Sequence, residues 1–569
     1  MEELPTELNI ITLNCWGLLH LSSYRAERLA AIGRQLAESE PAPHIVALQE
    51  CWTQEDYHAI RRETRFILPF GKFYHSGAFG SGLVILSKWP IEESTMFQYP
   101  LNGRPTAFFR GDWYVGKGVA CAKIRYGPGE KDIVEVFNTH THAAYEPADS
   151  YTVHRLAQCW EMAKLIRGAS DRGHLAVALG DFNDVPLSLP YRLLTAHAPI
   201  RDAWRVLNPD SALGSAEHEL ERARRRPVPS AAFNIVENGA TSNSAYNTWA
   251  WPKSQQRAAR RLQHIPPDTP DPRGKRIDYI FFSQGTSATS SWTSSEPREI
   301  NEPAAACADP HADGTGGPNN TGWVVKEMRV GMQERHPQLG CSLSDHFSVE
   351  ATLRLHTASS SNSPPSSSRR QRTTATTGTH TTTSKRGSAH SLRPSLADTG
   401  ADDPGRDAAL EQGTYLQSPT GSEIFRQASR EQHAASEYDV QLRDGSSHVY
   451  CEGLPCATYD EILSLVRGYA ARSRRQRSWR LAHFFLWVGI AVACYVAVWF
   501  VSARGGAFAL LVFASLGLVA GTLDGLVALL FCGAEARALE EFQWELMNAK
   551  ATASGAGGLL GVEEEEKNW

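Results

Sequence analysis

The sequence predicts an α/β domain with many strands, then a linker with no core of its own, then two helices in a membrane. Three observations carry this. Short apolar or β-branched runs recur through the first 356 or so residues, with helical spacing between some of them. From Thr357 to about Arg406 the chain is Ser, Thr and Arg with almost no large apolar residue, so it cannot bury enough surface to fold. Near the C-terminus come two long stretches of apolar residues behind a run of arginines.

Taken in order, the strand candidates are Asn9–Leu13, Ile45–Leu48, Gly82–Leu86, Ile133–Phe137, Leu175–Leu179, Ile277–Phe282 and His346–Leu355. The last alternates: Phe347, Val349, Ala351, Leu353 and Leu355 share one face, and Ser348, Glu350, Thr352 and Arg354 the other. Leu156, Cys159, Trp160 and Ala163 recur at helical spacing, as on a helix packed against a sheet. Residues 283–320, rich in Ser, Thr, Pro, Gly and Ala, read as an insert between two strands. The Ser/Thr tract at 357–457 reads as a mostly disordered linker open to modification.

With 569 residues, at least two folded units are expected. Lys+Arg 57 against Asp+Glu 62 leaves a net charge of -5, which argues against a protein built to coat nucleic acid. Cys15, Cys51, Cys121 and Cys159 sit singly in apolar runs, as free thiols of a reducing compartment do. Cys451 and Cys456 are the one pair that a bridge or a metal would suit, and no second pair supports a zinc site. The N-terminus lacks the basic start and apolar stretch of a secretory signal, so the α/β part is expected in the cytosol.

A basic juxtamembrane helix is expected at 458–482, carrying Arg472, Arg474, Arg475, Arg477 and Arg480. Spans follow at 483–502 and 508–531, roughly 20 and 24 residues, enough to cross a hydrocarbon core. Arg504-Gly505-Gly506 reads as the reversal between them, and 532–569 as an acidic cytosolic tail. The arginines precede the first span, so that side is cytosolic, and two spans return the C-terminus to it. The same arginines are candidates for binding anionic phospholipid. Gly489, Ala493 and Ala497, and Gly517, Gly521 and Gly525, recur every four residues; they suit packing within the hairpin or, alternatively, a homodimer. Asp524 falls inside the second span, near its cytosolic end.

Polar residues stand at the strand ends in a fixed order: Asn14, then Gln49 and Glu50, then Asn138 to His142, then Gly180-Asp181-Phe182-Asn183, then Arg276 and Asp278, then Ser344-Asp345-His346. Any one of them alone is a turn residue or a helix cap. Six together match where α/β sheets gather their sites.

This set resembles the endonuclease/exonuclease/phosphatase superfamily. Leu13-Asn14-Cys15-Trp16-Gly17, Asn138-Thr139-His140-Thr141-His142-Ala143 and Tyr246-Asn247-Thr248-Trp249 are similar to its neutral sphingomyelinase branch, above all to fungal inositol phosphosphingolipid phospholipases C. The resemblance covers about Leu8 to Leu355, and the paired C-terminal spans fit the same branch. It implies a four-layer α/β/β/α sandwich of two mixed sheets over residues 1–356. It also implies Mg²⁺ as cofactor, with Mn²⁺ as an alternative, held by Glu50 and Asn14, with Asp345 at a second metal position or orienting the histidine. His346 would be general base, Asp278 its orienter, Asp181 and Asn183 water and phosphoryl ligands, and His140 a donor to phosphoryl oxygen. His142 reads as a supporting residue. Asp112 and Lys117 resemble a pair whose contact switches the site between closed and open; Lys117→Ala is then expected to cut turnover with little loss of folding.

The implied reaction releases ceramide and a phosphorylated head group from a membrane sphingolipid, inositol phosphosphingolipid first and sphingomyelin second. The alternatives are an inositol polyphosphate phosphatase or a lysophospholipid phospholipase C of the same fold. A nuclease would need a basic track that the catalytic part lacks. The expected membrane is the endoplasmic reticulum, with the mitochondrial outer membrane as the alternative.

Overall fold

Strand β1 (Glu7–Asn14) is buried continuously from Ile10 onward, because both of its faces are covered. It pairs parallel with β2 (Ile45–Gln49) across helix α1 (Arg25–Ala37), and antiparallel with β12 (Ser348–Thr357). With β3 (Phe70–Phe73), β4 (Val84–Ser87) and β11 (Thr321–Gly331) they form a six-stranded sheet in the order β11-β12-β1-β2-β4-β3. A second six-stranded sheet runs β5-β6-β7-β8-β10-β9. Its members are β5 (Ile91–Gln98), β6 (Gly118–Arg125), β7 (Ile133–His140), β8 (Leu175–Asp181), β9 (Arg201–Asp202) and β10 (Asp278–Phe282). Here β7 and β8 are parallel, joined through α4 (Thr152–Asp171). Both parallel pairs use the helical crossover that a parallel connection requires. This computed structural model describes residues 4–107, 110–145, 149–257, 265–285, 321–357 and 453–555.

Ile10, Ala47, Ile85, Ala120, Val136, Val177, Ile280 and Phe347 fill the space between the sheets. Leu29, Ile32, Leu36 and Ile60 of α1 and α2 (Gln54–Thr64) cover the outer face of the first sheet. Cys159, Met162, Ala163, Ile166 and Leu194 of α4 and α5 (Leu189–His197) cover the second. The layers are therefore α/β/β/α, as expected. The short α3 (Asp112–Val115) precedes β6, and α6 (Ala203–Leu207), α7 (Glu219–Ala223), α8 (Ala231–Val236) and α9 (Lys253–Arg257) lie between β9 and β10.

The sequence reading missed β3, β5, β6, β9 and β11. Strand β5 (IEESTMFQ) lies at a sheet edge and leaves Glu92, Glu93, Thr95 and Gln98 exposed, so it carries no apolar run. The insert at 283–320 lies, beyond Gly285, outside the described residues, as does the linker from Ala358 to Glu452.

The juxtamembrane helix and the first span are one continuous helix, α10 (Cys456–Val498, 43 residues). Leu463, Val466 and Tyr469 in its first third are buried against Val153, Leu156, Trp160 and Leu193 of α4 and α5. Beyond Ser473 only Ala491 and Cys494 are buried. The second span begins at Arg504, so the reversal falls before the predicted Gly505-Gly506: α11 (Arg504–Leu526) runs through a π-helical turn at Val527–Phe531. Both spans reach a mean hydropathy of 2.1 and leave Phe485, Val492, Phe508, Leu516 and Leu523 exposed, as helices that could cross a membrane do.

The segment read as an acidic tail starts with a helix instead, α12 (Cys532–Ala553), which buries Leu539, Phe542 and Leu546 in the same cluster. Its apolar residues are spaced at helical intervals among glutamates, and the charge obscured them. Within the hairpin, a Cβ at Gly517 would come within 1.9 Å of Trp487, and one at Gly525 within 3.1 Å of Phe484. The small-residue face of the second span is thus what lets α10 approach. Asp524 is paired with Arg480 and with His483 Nδ1 at 2.7 Å, which offsets the cost of a carboxylate at that depth.

Candidate active site

The ends of β1, β2, β7 and β8 and the start of β10 bring the predicted residues to one place. Register does part of this directly: His140 stands opposite Asp181, and Asp181 opposite Asp278, across neighbouring strands. Asn14 joins the two sheets, with Nδ2 3.0 Å from Asp181 Oδ2 and 3.3 Å from Glu50 Oε1. Glu50 takes a left-handed backbone conformation (φ 55°) that turns its side chain in after β2. A Cβ at Gly17 would lie 2.3 Å from the Glu50 carbonyl, so this turn needs glycine there.

His346 Nδ1 and Asp278 Oδ2 are 2.9 Å apart, and Thr241 Oγ1 donates to the same carboxylate oxygen at 2.5 Å. His346 Nε2 is left facing Asp181 Oδ2 at 4.0 Å, and His140 Nε2 faces it at 3.6 Å. Asn183, also left-handed (φ 49°), donates its N–H to Asp181 Oδ1 at 2.9 Å and its amide to the Thr141 carbonyl at 3.2 Å. Asp345 follows Ser344, whose hydroxyl bonds the Asn14 carbonyl at 2.5 Å.

Electrostatics sharpen the division of labour. Burial, then the charge of Asp345, pushes Glu50 up to about 7. Its Oε2 is buried with no partner among the described residues. Burial would raise Asp181, but His346, His140 and the bonds from Asn14 and Asn183 outweigh it and hold this carboxylate low. Burial and the Asp181 charge raise Asp278. Burial favours neutral His346, yet Asp278, Asp181 and Asp345 overcome it and raise its pKa. Burial and Lys117 lower His140 to about 3, so its ring is neutral. Asp181, Asp278 and His346 place ligand atoms within 4.8 Å of one another, a group that could hold a metal ion.

Asp112 and Lys117 do not form a surface pair. They are 7 % and 5 % exposed, with Lys117 Nζ 3.3 Å from Asp112 Oδ1. Lys117 also donates to the carbonyls of Thr141 at 3.1 Å and His140 at 3.4 Å. His142 joins this pair: its Nε2 is 3.6 Å from Asp112 Oδ2, and its ring is stacked 3.8 Å from Tyr151. Of the five candidate arginines, Arg480 is committed to Asp524, while Arg472, Arg474 and Arg475 are exposed on α10 and Arg477 half-buried.

Sequence reasoning singled out Gln49, Asn138, Asn247 and Trp249 without giving them a role, and it missed Arg28. Arg28, fully buried, donates to the carbonyls of Cys15, Trp16 and Leu343, tying the loop after β1 to the one before β12. Gln49 Nε2 bonds Asn138 Oδ1 at 2.7 Å across the two sheets. Asn247 and Trp249 hold the carbonyls of Ser344 and Ser342. An arginine in the first turn of an amphipathic helix gives no signal of this kind, whereas the Asn247–Trp249 motif did.

The profile of the Endonuclease/Exonuclease/phosphatase family matches residues 11–346. An inositol phosphosphingolipids phospholipase C of Schizosaccharomyces pombe is 39% identical over 357 residues, 62% of this chain and 70% of that protein. Its Saccharomyces cerevisiae counterpart is 26% identical over 567 residues, 95% of this chain and 90% of that one. Human sphingomyelin phosphodiesterase 2 is 34% identical over 198 residues, 35% of this chain and 46% of that one. The matched span takes in the whole of the second sheet, most of the first and every strand-end residue from Asn14 to His346, and on that ground the chain belongs to the Endonuclease/Exonuclease/phosphatase family.

Proposed function

We propose that this chain is a membrane-bound, Mg²⁺-dependent phosphodiesterase of the phospholipase C type, which hydrolyses inositol phosphosphingolipids, or sphingomyelin, to ceramide and a phosphorylated head group. The observation that carries the chemistry is the convergence of a His346–Asp278 pair, Asp181 and the Asn14–Glu50 pair at the ends of both sheets. The names and coverage of the two yeast relatives favour the substrate.

Asp278, oriented by Thr241, fixes the imidazole so that Nε2 faces Asp181. His346 takes the proton of the attacking water as its oxygen bonds to phosphorus. Asp181 and Asn183 position that water and the phosphoryl group, and neutral His140 donates to a phosphoryl oxygen as charge develops. The bond from phosphorus to the ceramide oxygen breaks, and the ceramide alkoxide takes up a proton.

Asp181, Asp278 and His346 are close enough to share an ion, but Asp278 and His346 are already bonded to each other, which suits a base and its orienter. The orphaned Oε2 and raised pKa of Glu50 fit a cation better. Glu50 and Asn14, with Asp345 nearby, would hold Mg²⁺, or Mn²⁺ in its place. When bound, the ion neutralises phosphoryl charge and stabilises the leaving alkoxide.

The arginines of α10 that precede its apolar part support an orientation with the catalytic domain and C-terminus in the cytosol, in the endoplasmic reticulum or else the mitochondrial outer membrane. It also supports activation by anionic phospholipid. A homodimer would use the exposed Gly489 and Ala493 of the first span, since the second span's small residues face α10.

The test is detergent-solubilised protein assayed in parallel on inositol phosphoceramide, sphingomyelin and a phosphoinositide, with and without Mg²⁺, beside His346→Ala. Mg²⁺-dependent ceramide release that the variant loses is the expected result. Phosphate release from the phosphoinositide alone would overturn the sphingolipid assignment and favour the phosphatase reading.

A further inference from the structure

The pairing of β7 with β8 sets His140 opposite Asp181 and ends there. His142 and Asn183 lie beyond the last paired residues, on the loops that follow the two strands. Those loops bond to each other. The Thr141 N–H donates to the Asp181 carbonyl at 3.0 Å, and the Asn183 amide to the Thr141 carbonyl at 3.2 Å. Both loops are also tied to the start of α4, the helix that connects the strands.

Arg155 is buried there, and its guanidinium reaches both loops. Nε donates to Asp184 Oδ2 at 2.8 Å, on the residue that follows Asn183. Nη1 donates to the His142 carbonyl at 3.4 Å and to Asp149 Oδ1 at 3.1 Å, and Nη2 to the other oxygen of Asp149. Further along the same face, buried Gln158 accepts from the His142 N–H at 2.9 Å and donates to the Leu101 carbonyl at 2.9 Å. The backbone N–H and C=O of His142 are thus each held by a side chain of α4. From β10, the Tyr279 hydroxyl holds the Asp184 carbonyl at 2.8 Å.

Burial would lower the Arg155 pKa, but Asp184 and Asp149 outweigh it and raise it, so the group is charged. Buried ion pairs add little stability over apolar residues of the same size, and their better use is to fix a geometry. A planar guanidinium fork fixes acceptors on two loops in one arrangement; a lysine ammonium on its flexible stem does not. We propose that Arg155, with Gln158 beside it, is a positioning residue: it holds the loops after β7 and β8 at the spacing at which His140 and Asn183 act on one phosphoryl group. This role rests on the phosphodiesterase reading above. Arg172, at the other end of α4, supplies the control. It holds Glu135 by two bonds, at 3.0 and 2.8 Å, near the start of β7 and away from His140.

The test is steady-state kinetics of the full chain in dodecyl maltoside with Mg²⁺, on inositol phosphoceramide and on bis(p-nitrophenyl) phosphate, a diester with no lipid. Arg155→Lys should lower kcat by about 10-fold or more on both, with KM within about 3-fold, since misplacing a group by an ångström costs up to about 10²-fold. Arg172→Gln should leave kcat and KM within about 2-fold. Added to Asn183→Ala, Arg155→Lys should cost at least about 3-fold less than it costs in the wild type, because part of what it positions is gone. Wild-type kcat in Arg155→Lys, equal losses in Arg155→Lys and Arg172→Gln, a rise in KM alone, or fully multiplicative losses with Asn183→Ala would each overturn the role. Should Arg155→Lys fail to melt cooperatively, Gln158→Met decides: kcat lower by about 3-fold or more at unchanged KM is expected, and wild-type kcat overturns the role. A wild type that spares the lipid but cleaves the diester corrects the sphingolipid assignment alone, and the comparison among variants stands. Cleavage of neither overturns both readings.

Discussion

Lys117→Ala is the perturbation on which the sequence and the structure disagree most. Read as a loop switch, the pair should break with little effect on folding. The structure buries both partners, so the variant leaves Asp112 as a carboxylate in the interior without its cation. Removing one member of a buried pair costs about 3–5 kcal/mol. Asp112 keeps the Tyr145 hydroxyl at 2.6 Å and His142 at 3.6 Å, which favours the low end, about 3 kcal/mol. A domain of about 350 residues has an unfolding entropy near 0.7 kcal/mol/K, so Tm should fall by about 4 °C. Turnover should fall further than stability, because Lys117 also holds the carbonyls of His140 and Thr141. Displacing His140 by an ångström costs about 10²-fold. The assay pairs thermal melting with ceramide release for Lys117→Ala and for Lys117→Met combined with Asp112→Leu. The double variant removes both charges and should regain most of the stability but none of the activity. Wild-type melting and wild-type turnover in Lys117→Ala would refute the reasoning.

Asp278→Asn should lower kcat by about 10²–10⁴ while the protein stays folded, since it removes the carboxylate bonded to His346; near-normal kcat would mean another group orients the base. Mg²⁺ at about 100 times its Kd should raise the wild-type Tm by about 4 °C, and Glu50→Gln should abolish that shift along with turnover. A metal shift that survives in Glu50→Gln would move the ion to Asp181 and its neighbours. Buried His142 and His154 make the fold acid-sensitive. Burial lowers His142 to about 2 and His154 well below its ordinary value, whereas both protonate near 6.5 when unfolded. Their contribution is therefore full above about pH 7 and declines as pH falls through 6.5, for His142 by about 2 kcal/mol at pH 5. Melting curves at pH 7 and pH 5 for wild type and His142→Gln check this, and an unchanged pH slope in the variant would exclude His142.

Much of the fold was legible because β-branched runs such as Ile45–Leu48 and Leu175–Leu179 are central strands buried on both faces. Strands that were missed lack that signature. β5 is an edge strand with four exposed polar residues, and β9 has two residues and exists only through its pairing with Phe281 and Phe282. The site was legible for a different reason. Its residues follow strand ends, and a strand end after an apolar run is a position that sequence marks well. What sequence does not mark is which of those ends meet, since Asn14 and Asp181 lie 167 residues apart in the chain and 3.0 Å apart in space.

The membrane segment shows the same limit more sharply. Composition separated a basic helix, two spans and an acidic tail, each by its own charge. In the structure charge is the wrong divider. Helix α10 is a wall of the catalytic domain up to Ser473 and then an apolar helix that could cross a membrane, with no break between. Helix α12 returns from the second span to the same wall, where Glu535 accepts from both Tyr469 and Ser473 of α10. Tyr469 in turn receives a bond from Arg104, six residues before the segment reaches Arg110 and the buried Asp112. One continuous helix is thus both a wall of the catalytic domain and the first of two segments long and apolar enough to cross a membrane. Any tilt of the hairpin then bears first on the Arg104–Asp112 segment, through Tyr469 on one side and the Trp113–Phe531 contact on the other.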